Sequence, residues 1–254
     1  MKIVIITQNE PFYLVKNLSY LFEIIPKHSK IVGCVVTDVS PFGKKESFFS
    51  KAKRTFNIFG LDFFIYYALK YIVSKLDFNN SVFKFLNSRN IPIITLHEGI
   101  NSKSSVDKIK FHEPDLLISI LGNQIFKDPI INLAPKGCIN LHTALLPKYR
   151  GLMPSFWVLK NNEKKTGVSV FFVDKGIDSG PIIVQEEIEI KNETQKELIL
   201  ITKKMGMEAI AKCIDLIKKD DVKLIKNDPE YKTYYRFPTK KDVLEFKKNG
   251  KKFF

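Results

Sequence analysis

Short runs rich in isoleucine, valine and leucine alternate with longer segments of helical spacing in the first half of the chain. Residues 2–7, 31–38, 91–96 and 115–122 have the length and composition of buried strands. Helical spacing lies between them, at residues 12–22 and in the aromatic-rich segment 56–73. Strands that alternate with helices form parallel sheets covered on both faces. The sequence therefore predicts an α/β, Rossmann-like fold with a mostly parallel sheet.

The second half adds a predicted hairpin, a long helix and a polar tail. Residues 166–174 and 181–190 are strand candidates separated by a turn at 175–180. Thr194 and Glu197 have the spacing of a capping box, and apolar residues follow on one helical face. Residues 221–254 are lysine-rich and too short to bury a core of their own. We therefore predict a main domain at 1–220 and a C-terminal arm at 221–254.

Charge and cysteine content restrict the class of protein. The net charge of +14 attracts polyanions such as nucleic acid, anionic membranes or phosphorylated substrates, but scattered lysines equally describe a solvated surface. Cys34, Cys138 and Cys213 have no paired spacing, which predicts reduced thiols and no zinc site. The first residues lack a signal peptide, and charges interrupt segment 56–73, so we expect a cytoplasmic protein without a membrane span.

Phosphate-binding glycine loops are absent from the sequence. The first predicted strand is followed by Gln8, Asn9, Glu10 and Pro11, with no Gly-x-Gly and no Gly-Lys-Ser or Gly-Lys-Thr pattern. A dinucleotide or nucleoside-triphosphate enzyme is therefore disfavoured, and function must be argued from another site.

Residues 137–157, GCINLHTALLPKYRGLMPSFW, combine polar side chains with turn-forming prolines and glycines. Asn140 and His142 are two residues apart, so in an extended segment they point to the same face. A site is expected there because ligands of open α/β sheets bind at the carboxyl ends of strands. Taken alone, His142 is more typical of a structural histidine, and Asp178 of an ordinary turn aspartate.

Two linked motifs make the chain resemble the folate-dependent formyltransferases. This family includes the glycinamide ribonucleotide, methionyl-tRNA and nucleotide-sugar formyltransferases. The first motif is Asn-x-His, a short turn, Leu-Leu-Pro-x-Tyr and a glycine; the second, about thirty residues later, is a Gly-Val-Ser strand and an aspartate before Gly-Pro. The matching residues are Asn140, His142, Leu145, Leu146, Pro147, Tyr149, Gly151, Gly167, Val168, Ser169, Asp178, Gly180 and Pro181. Thr143 and Ala144 depart from the serine that many relatives carry after the histidine.

The resemblance implies formyl transfer from 10-formyltetrahydrofolate to a primary amine, with residues 1–220 as the catalytic domain and no metal. Asn140 would donate to the developing oxyanion, His142 would help to move the proton, and Asp178 would orient the imidazole. No acyl-enzyme is expected. The folate would lie against two loops, with predicted contacts at Leu121, Asn123, Gln124, Ile125, Val173 and Asp174.

The identity of the amine is a finer prediction. Arg150 and Pro154 resemble the tRNA and sugar branches more than the purine branch. Methionyl-tRNA formyltransferases normally carry a sizeable C-terminal barrel, whereas 34 residues follow Asp220 here. We therefore expect a nucleotide-linked amino sugar, as in lipopolysaccharide or glycan biosynthesis, bound by Lys148, Tyr149 and Arg150.

Several alternatives remain open from the sequence. They are a methionyl-tRNA formyltransferase-like enzyme, a formyltetrahydrofolate hydrolase with a similar triad, and a non-enzymatic basic module that binds RNA or a membrane. DNA is not an expected partner. Segment 56–73 has little charge, so it is predicted to be buried or to mediate a homodimer rather than to bind a membrane.

Overall fold

The computed structural model describes residues 1–39, 47–77, 80–122 and 124–254. The strands are β1 (Lys2–Gln8), β2 (Lys30–Thr37), β3 (Ile93–Ile94), β4 (Leu116–Ser119), β5 (Cys138–His142), β6 (Arg150–Gly151), β7 (Lys165–Phe172), β8 (Ile182–Glu189) and β9 (Tyr234–Tyr235). The helices are α1 (Leu14–Ile24), α2 (Phe48–Phe59), α3 (Leu61–Leu76), α4 (Val82–Ser88), α5 (Lys103–Lys110), α6 (Asp128–Ile131), α7 (Pro154–Lys160), α8 (Gln195–Lys218) and α9 (Lys240–Lys248).

The main sheet contains seven strands among the described residues, in the order β3-β2-β1-β4-β5-β7-β8. The first five strands in this order, β3-β2-β1-β4-β5, pair in parallel. Strand β7 is antiparallel to both of its neighbours, β5 and β8. The interior residues of β1 are fully buried because the strand has a neighbour on each side and covered faces. The predicted α/β, mostly parallel fold and its terminal hairpin are confirmed.

Helix α8 closes one side of the sheet, as its sequence predicts. Thr194 accepts from the Glu197 backbone N–H, and the Glu197 carboxylate accepts from the Thr194 backbone N–H, which completes the capping box. The buried face of the helix includes Leu198, Ile210 and Cys213, and it packs on β7 and β8. An N-cap of this kind typically contributes about 1 kcal/mol to helix stability.

The aromatic-rich segment 56–73 differs from its prediction. It belongs to two helices, α2 and α3, which meet at Gly60 with a φ of +90°. Phe59 and Phe63 stack across this break with ring centroids 4.3 Å apart. A glycine is needed at the junction because a side chain rarely adopts that backbone conformation. Strand β3 is also shorter than predicted, since only its two isoleucines pair with β2.

The arm at residues 221–254 packs onto the main domain. Strand β9 pairs with β6, which places Tyr234 beside Arg150 and Tyr235 beside Gly151. Phe246 of α9 is fully buried and stacks on Phe156, with ring centroids 5.0 Å apart. The arm therefore shares an aromatic core with α2, α3 and α7, while the boundary at residue 220 stays a prediction. Within the described ranges, no helix has both the length and the apolar character needed to cross a membrane.

Candidate active site

Strand β5 positions two of the predicted catalytic residues at the carboxyl end of the sheet. Asn140 is paired with Ser119 of β4 on one side and with Phe171 of β7 on the other, so its backbone is held centrally. His142 is the last residue of the strand. Because the two residues are separated by one position, both side chains face the same cavity.

The imidazole of His142 is buried and held by contacts on both ring nitrogens. Nε2 lies 2.7 Å from the backbone oxygen of Tyr149. A carbonyl oxygen only accepts, so Nε2 carries the hydrogen in this arrangement. Nδ1 is therefore the basic nitrogen of the neutral ring, and it lies 3.6 Å from Oδ2 of Asp178. The Tyr149 carbonyl thus sets the tautomer that a proton-accepting histidine needs.

Asp178 is fixed by hydrogen bonds from two separate segments. Its backbone φ of +49° lies in the left-handed region. Oδ2 accepts from the Gly151 backbone N–H at 2.8 Å, and the Asp178 carbonyl accepts from Nδ2 of Asn227 at 2.9 Å. Asn227 belongs to the arm. Its amide orients the turn that carries Asp178, so the arm contributes to the geometry of the site.

One cavity of about 600 Å³ brings the three predicted catalytic residues together. Its volume lies within the range of about 300–1,000 Å³ that is typical of small-molecule sites. Asn140, His142 and Asp178 line one part of it, and Tyr13, Tyr67 and Lys203 line another. The cavity therefore lies between the polar side chains of Asn140, His142 and Asp178 and a wall formed by α3, α8 and the residues before α1.

The predicted folate-binding residues mostly lie on the same cavity. Those that line it are Leu121, Gln124, Ile125, Val173 and Asp174, whereas Asn123 falls outside the described residues. Gln124 accepts from the Ile100 N–H at 2.9 Å, and Asp174 accepts from the Gly176 N–H at 3.0 Å. Both side chains shape their loops, which leaves apolar side chains and backbone groups to meet a flat ring system.

The predicted acceptor-binding residues occupy different positions. Lys148, Tyr149 and Arg150 do not line this cavity. Tyr149 donates to Glu163 at 2.6 Å and stacks on Tyr235, while Arg150 is buried and donates to Oδ1 of Asn227 at 2.7 Å. These contacts attach the arm to the loop behind His142. Lys148 is exposed. Acceptor binding by these three residues stays a prediction.

A cluster of lysines that the sequence analysis missed lies beside the cavity wall that contains Tyr13 and Tyr67, and of its three members Lys203 lines the cavity itself. We call Lys70, Lys196 and Lys203 the lysine cluster. Nζ of Lys70 lies 3.8 Å and Nζ of Lys203 lies 5.6 Å from the ring centroid of Tyr13, and Nζ of Lys196 lies 5.5 Å from the ring centroid of Tyr66. Burial, together with the charges of Lys196 and Lys203, lowers the pKa of Lys70 to about 8.

Glu10 is the carboxylate whose charge acts on both Lys70 and Lys203. Its oxygens accept backbone N–H groups at the start of α1, from Phe12, Tyr13 and Leu14, at 2.9 to 3.0 Å. An internal carboxylate therefore occupies the place where a helix start would bind an anion. Burial also lowers the pKa of Lys203. The lysine cluster therefore holds ammonium groups near one another, although their mutual repulsion and their burial both disfavour the charged form.

The lysine cluster was difficult to detect in the sequence because its members come from α3 and α8. Lys196 and Lys203 are seven residues apart, which places them on the same side of α8. This spacing was the available signal. Nothing in the sequence near Lys70 indicates that α3 folds over Tyr13.

Comparisons with known proteins agree on a family. A family model described as formyl transferase matches residues 77–214. The methionyl-tRNA formyltransferase of Kosmotoga olearia is 36% identical over 164 residues, which cover 62% of this chain and 51% of that protein. The chain thus spans about half the length of this curated relative.

Solved structures show the same fold at low sequence identity. An N-formyltransferase from Helicobacter canadensis, in complex with folinic acid and dTDP-3-aminofucose, has a TM-score of 0.57 and 21% identity, over 93% of this chain and 71% of that one. A phosphoribosylglycinamide formyltransferase from Anaplasma phagocytophilum has a TM-score of 0.64 and 16% identity, over 94% and 99% of the two chains. The α/β architecture is therefore shared across proteins with different acceptors.

Proposed function

Because this chain belongs to the formyl transferase family, we propose that it transfers the formyl group of 10-formyltetrahydrofolate to the primary amine of a nucleotide-linked amino sugar. The observation that carries the proposal is the meeting of Asn140, His142 and Asp178 on one cavity. The family match supports formyl transfer, and the lysine cluster supports an anionic acceptor.

The cavity suits a reduced folate on the side of β4 and β5. Leu121, Ile125 and Val173 give apolar surfaces for a flat ring, and the loops at 121–125 and 173–178 bring backbone groups to its edge. Gly122 lies against the side chain of Ser119, where a Cβ would collide with the Ser119 hydroxyl. A larger residue at this approach to the cavity would force the Ser119 hydroxyl to turn away. When bound, the folate supplies a formyl group on a nitrogen that can leave.

The three polar residues divide the chemistry among themselves. Asn140 donates its amide hydrogens to the formyl oxygen, where negative charge develops as the amine attacks. His142 accepts the amine proton at Nδ1, since Nε2 already donates to Tyr149. Asp178 stabilises the resulting imidazolium. His142 then gives the proton to the departing folate nitrogen. A carbon–nitrogen bond to the amine forms, the carbon–nitrogen bond to the folate breaks, and no covalent enzyme adduct is required.

The choice of a nucleotide-linked sugar rests on the charge of the far cavity wall. A pyrophosphate would lie beside Lys203 on the cavity wall, with Lys70 nearby over the Tyr13 ring, and its charge would relieve the repulsion between the two ammonium groups. The start of α1 is less suitable, because the Glu10 carboxylate already accepts its backbone donors. A phosphate-bearing acceptor is therefore expected to meet side chains rather than a helix terminus.

A second candidate acceptor is charged initiator tRNA. Sequence similarity favours it, because the relative from Kosmotoga olearia is a methionyl-tRNA formyltransferase. A lysine cluster also suits a nucleic-acid phosphate, so charge alone does not separate the two acceptors. Both candidates use the same formyl-transfer chemistry.

One reaction screen tests both the formyl transfer and the identity of the acceptor. The protein is incubated with 10-formyltetrahydrofolate and, separately, with amino-sugar nucleotides, methionyl-tRNA or buffer, and each acceptor is analysed by mass spectrometry for one added formyl group. Asn140→Ala and His142→Ala should abolish the gain, whereas His97→Ala, an exposed histidine away from the cavity, should not. Formylation of methionyl-tRNA alone would overturn the sugar assignment, and formate release without an amine would indicate a hydrolase. No consumption of the folate at all would refute formyl transfer.

A further inference from the structure

Helix α3 exposes an apolar face along its whole length. We call this the outer face of α3; its residues are 48% to 71% exposed and comprise Leu61, Ile65, Leu69, Ile72, Val73 and Leu76. They recur at helical spacing, so they form one continuous strip about 24 Å long. Isolated apolar residues on a surface are ordinary, but a continuous strip of this kind marks an interaction surface.

The inner side of α3, opposite the outer face, packs against the rest of this chain. The outer face is therefore a second apolar surface of the same helix. Phe63 stacks on Phe59 and meets Phe253 edge-on, and Tyr67 contacts Phe12. Lys70 is also on this inner side, against Tyr13. A helix that is apolar all round is normally buried on all sides. Among the described residues, this chain covers the inner side of α3 and leaves the outer face exposed.

The exposed apolar area is sufficient for a specific protein interface. Helix α2 adds three exposed phenylalanines beside α3: Phe48 contacts Tyr71, Phe56 contacts Phe64, and Phe49 packs on Phe48. At roughly 150 Å² for a large apolar side chain, these nine partly exposed residues present on the order of 800 Å². That equals the area of about 800 Å² that each partner buries in a standard interface.

Four of the six residues of the outer face are placed symmetrically about the midpoint of α3. Leu61 and Leu76 lie equally far from the midpoint between Ala68 and Leu69, and so do Ile65 and Ile72. Two antiparallel copies related by a twofold axis at this midpoint would place Leu61 level with Leu76 of the second copy, and Ile65 level with Ile72. A twofold interface requires such self-complementarity, because the same surface serves both partners.

From this symmetry and area, we propose that the outer face of α3 is a homodimer interface in which two copies of the helix pack antiparallel. An anionic membrane fits less well, because membrane-surface helices carry lysine or arginine beside the apolar face. Helix α3 has two basic residues: Lys70 lies on the inner side against Tyr13, and Lys75 is in the last turn. Phe63 and Tyr67 on the inner side of α3 line the cavity. Dimerisation therefore supports the cavity wall from outside and is independent of which acceptor is bound.

The oligomeric state tests the proposal directly. Light scattering after size exclusion should give the mass of a dimer for the unmodified chain. Ile65→Lys with Ile72→Lys should raise the dissociation constant at least ~100-fold, because each ammonium would be buried without a partner. Phe111→Lys is the matched control, since Phe111 is 84% exposed on another helix end and should leave the dimer intact. Melting temperature checks that every variant is folded.

Single cysteines test the register. Leu69→Cys lies at the axis and should cross-link to itself, whereas Ile65→Cys and Ile72→Cys should cross-link only when the two variants are mixed. The native thiols, Cys34, Cys138 and Cys213, are at most 1% exposed and should not react. A monomer at all accessible concentrations would overturn the proposal. So would a dimer that the paired lysines leave unchanged, or monomers that bind through this face to vesicles of anionic lipid.

Discussion

Two groups of polar side chains, one lining the cavity and one partly behind its wall, differ in how they are satisfied. Around His142 and Asp178, each side chain has a defined partner: the Tyr149 carbonyl holds the imidazole and the Gly151 N–H holds the carboxylate. In the lysine cluster, by contrast, Lys70 and Lys203 lie over the ring of Tyr13, and the nearby Glu10 carboxylate is engaged by backbone groups. The first arrangement has the fixed geometry that the proposed chemistry requires. The second holds charge that a bound anion would neutralise.

Because of this difference, changes in the two groups should affect different kinetic constants. Changes near β5 should lower kcat, because we propose that the groups there act on the reacting atoms. Changes in the lysine cluster should raise KM for an anionic acceptor and leave kcat unchanged.

The largest effect is expected at Asn140. Asn140→Ala removes the donor to the developing oxyanion, and loss of such a donor typically lowers kcat ~100- to 1,000-fold. Steady-state kinetics with the acceptor identified by the reaction screen will measure this. Nucleotide binding, followed by calorimetry with UDP or dTDP, should be unchanged, because the proposed role of Asn140 is at the formyl oxygen and not at the nucleotide. A loss of nucleotide affinity equal to the loss of kcat would contradict the division of roles.

Replacement of Asp178 should give the next largest effect. Asp178→Asn keeps the shape of the side chain but removes the charge that stabilises protonated His142, so kcat should fall by about 100-fold, at the lower end of the range for proton transfer. Asn227→Ala removes the hydrogen bonds to the carbonyls of Asp178 and Gly180 and should lower kcat about tenfold through misorientation. A normal pH–rate profile in Asn227→Ala, beside an altered one in Asp178→Asn, would separate positioning from charge.

A smaller effect on KM is expected in the lysine cluster. Lys203→Met preserves the alkyl chain but removes the charge, and it should raise KM for an anionic acceptor about tenfold with kcat unchanged. Lys148→Met is the matched control, because Lys148 is exposed and does not line the cavity. If Lys148→Met raises KM and Lys203→Met does not, the acceptor lies where the sequence alone placed it.

The smallest effect is a pH dependence of anion binding. The pKa of Lys70 is lowered to about 8, so its ammonium is charged below that pH and loses its proton as the pH rises through it. Affinity for UDP or dTDP should therefore fall above pH 8, by at most tenfold per pH unit. Calorimetry at pH 7 and 9.5 will measure this, with Lys70→Met as the comparison. A fall of the same size in Lys70→Met would assign the titration to another group.

The sequence was sufficient for the polar site but not for the far wall of its cavity. Asn140 and His142 share one strand, and strand geometry alone places both side chains on one face. Asp178 was connected to them by a motif, and the structure brings its carboxylate to 3.6 Å from the imidazole. The break at Gly60 was missed because the apolar spacing continues across it, and the partner of Arg150 lies 77 residues away.

The alternation of apolar runs determined the α/β fold, because strand and helix periodicities are properties of neighbouring residues. The linked Asn-x-His and aspartate motifs determined the candidate chemistry for the same reason: each is local in the chain. Only the tertiary structure decided that α3 folds over Tyr13, that Lys70 joins Lys203 there, and that the arm orients Asp178 through Asn227. These contacts depend on the packing of distant elements, which no short stretch of residues encodes.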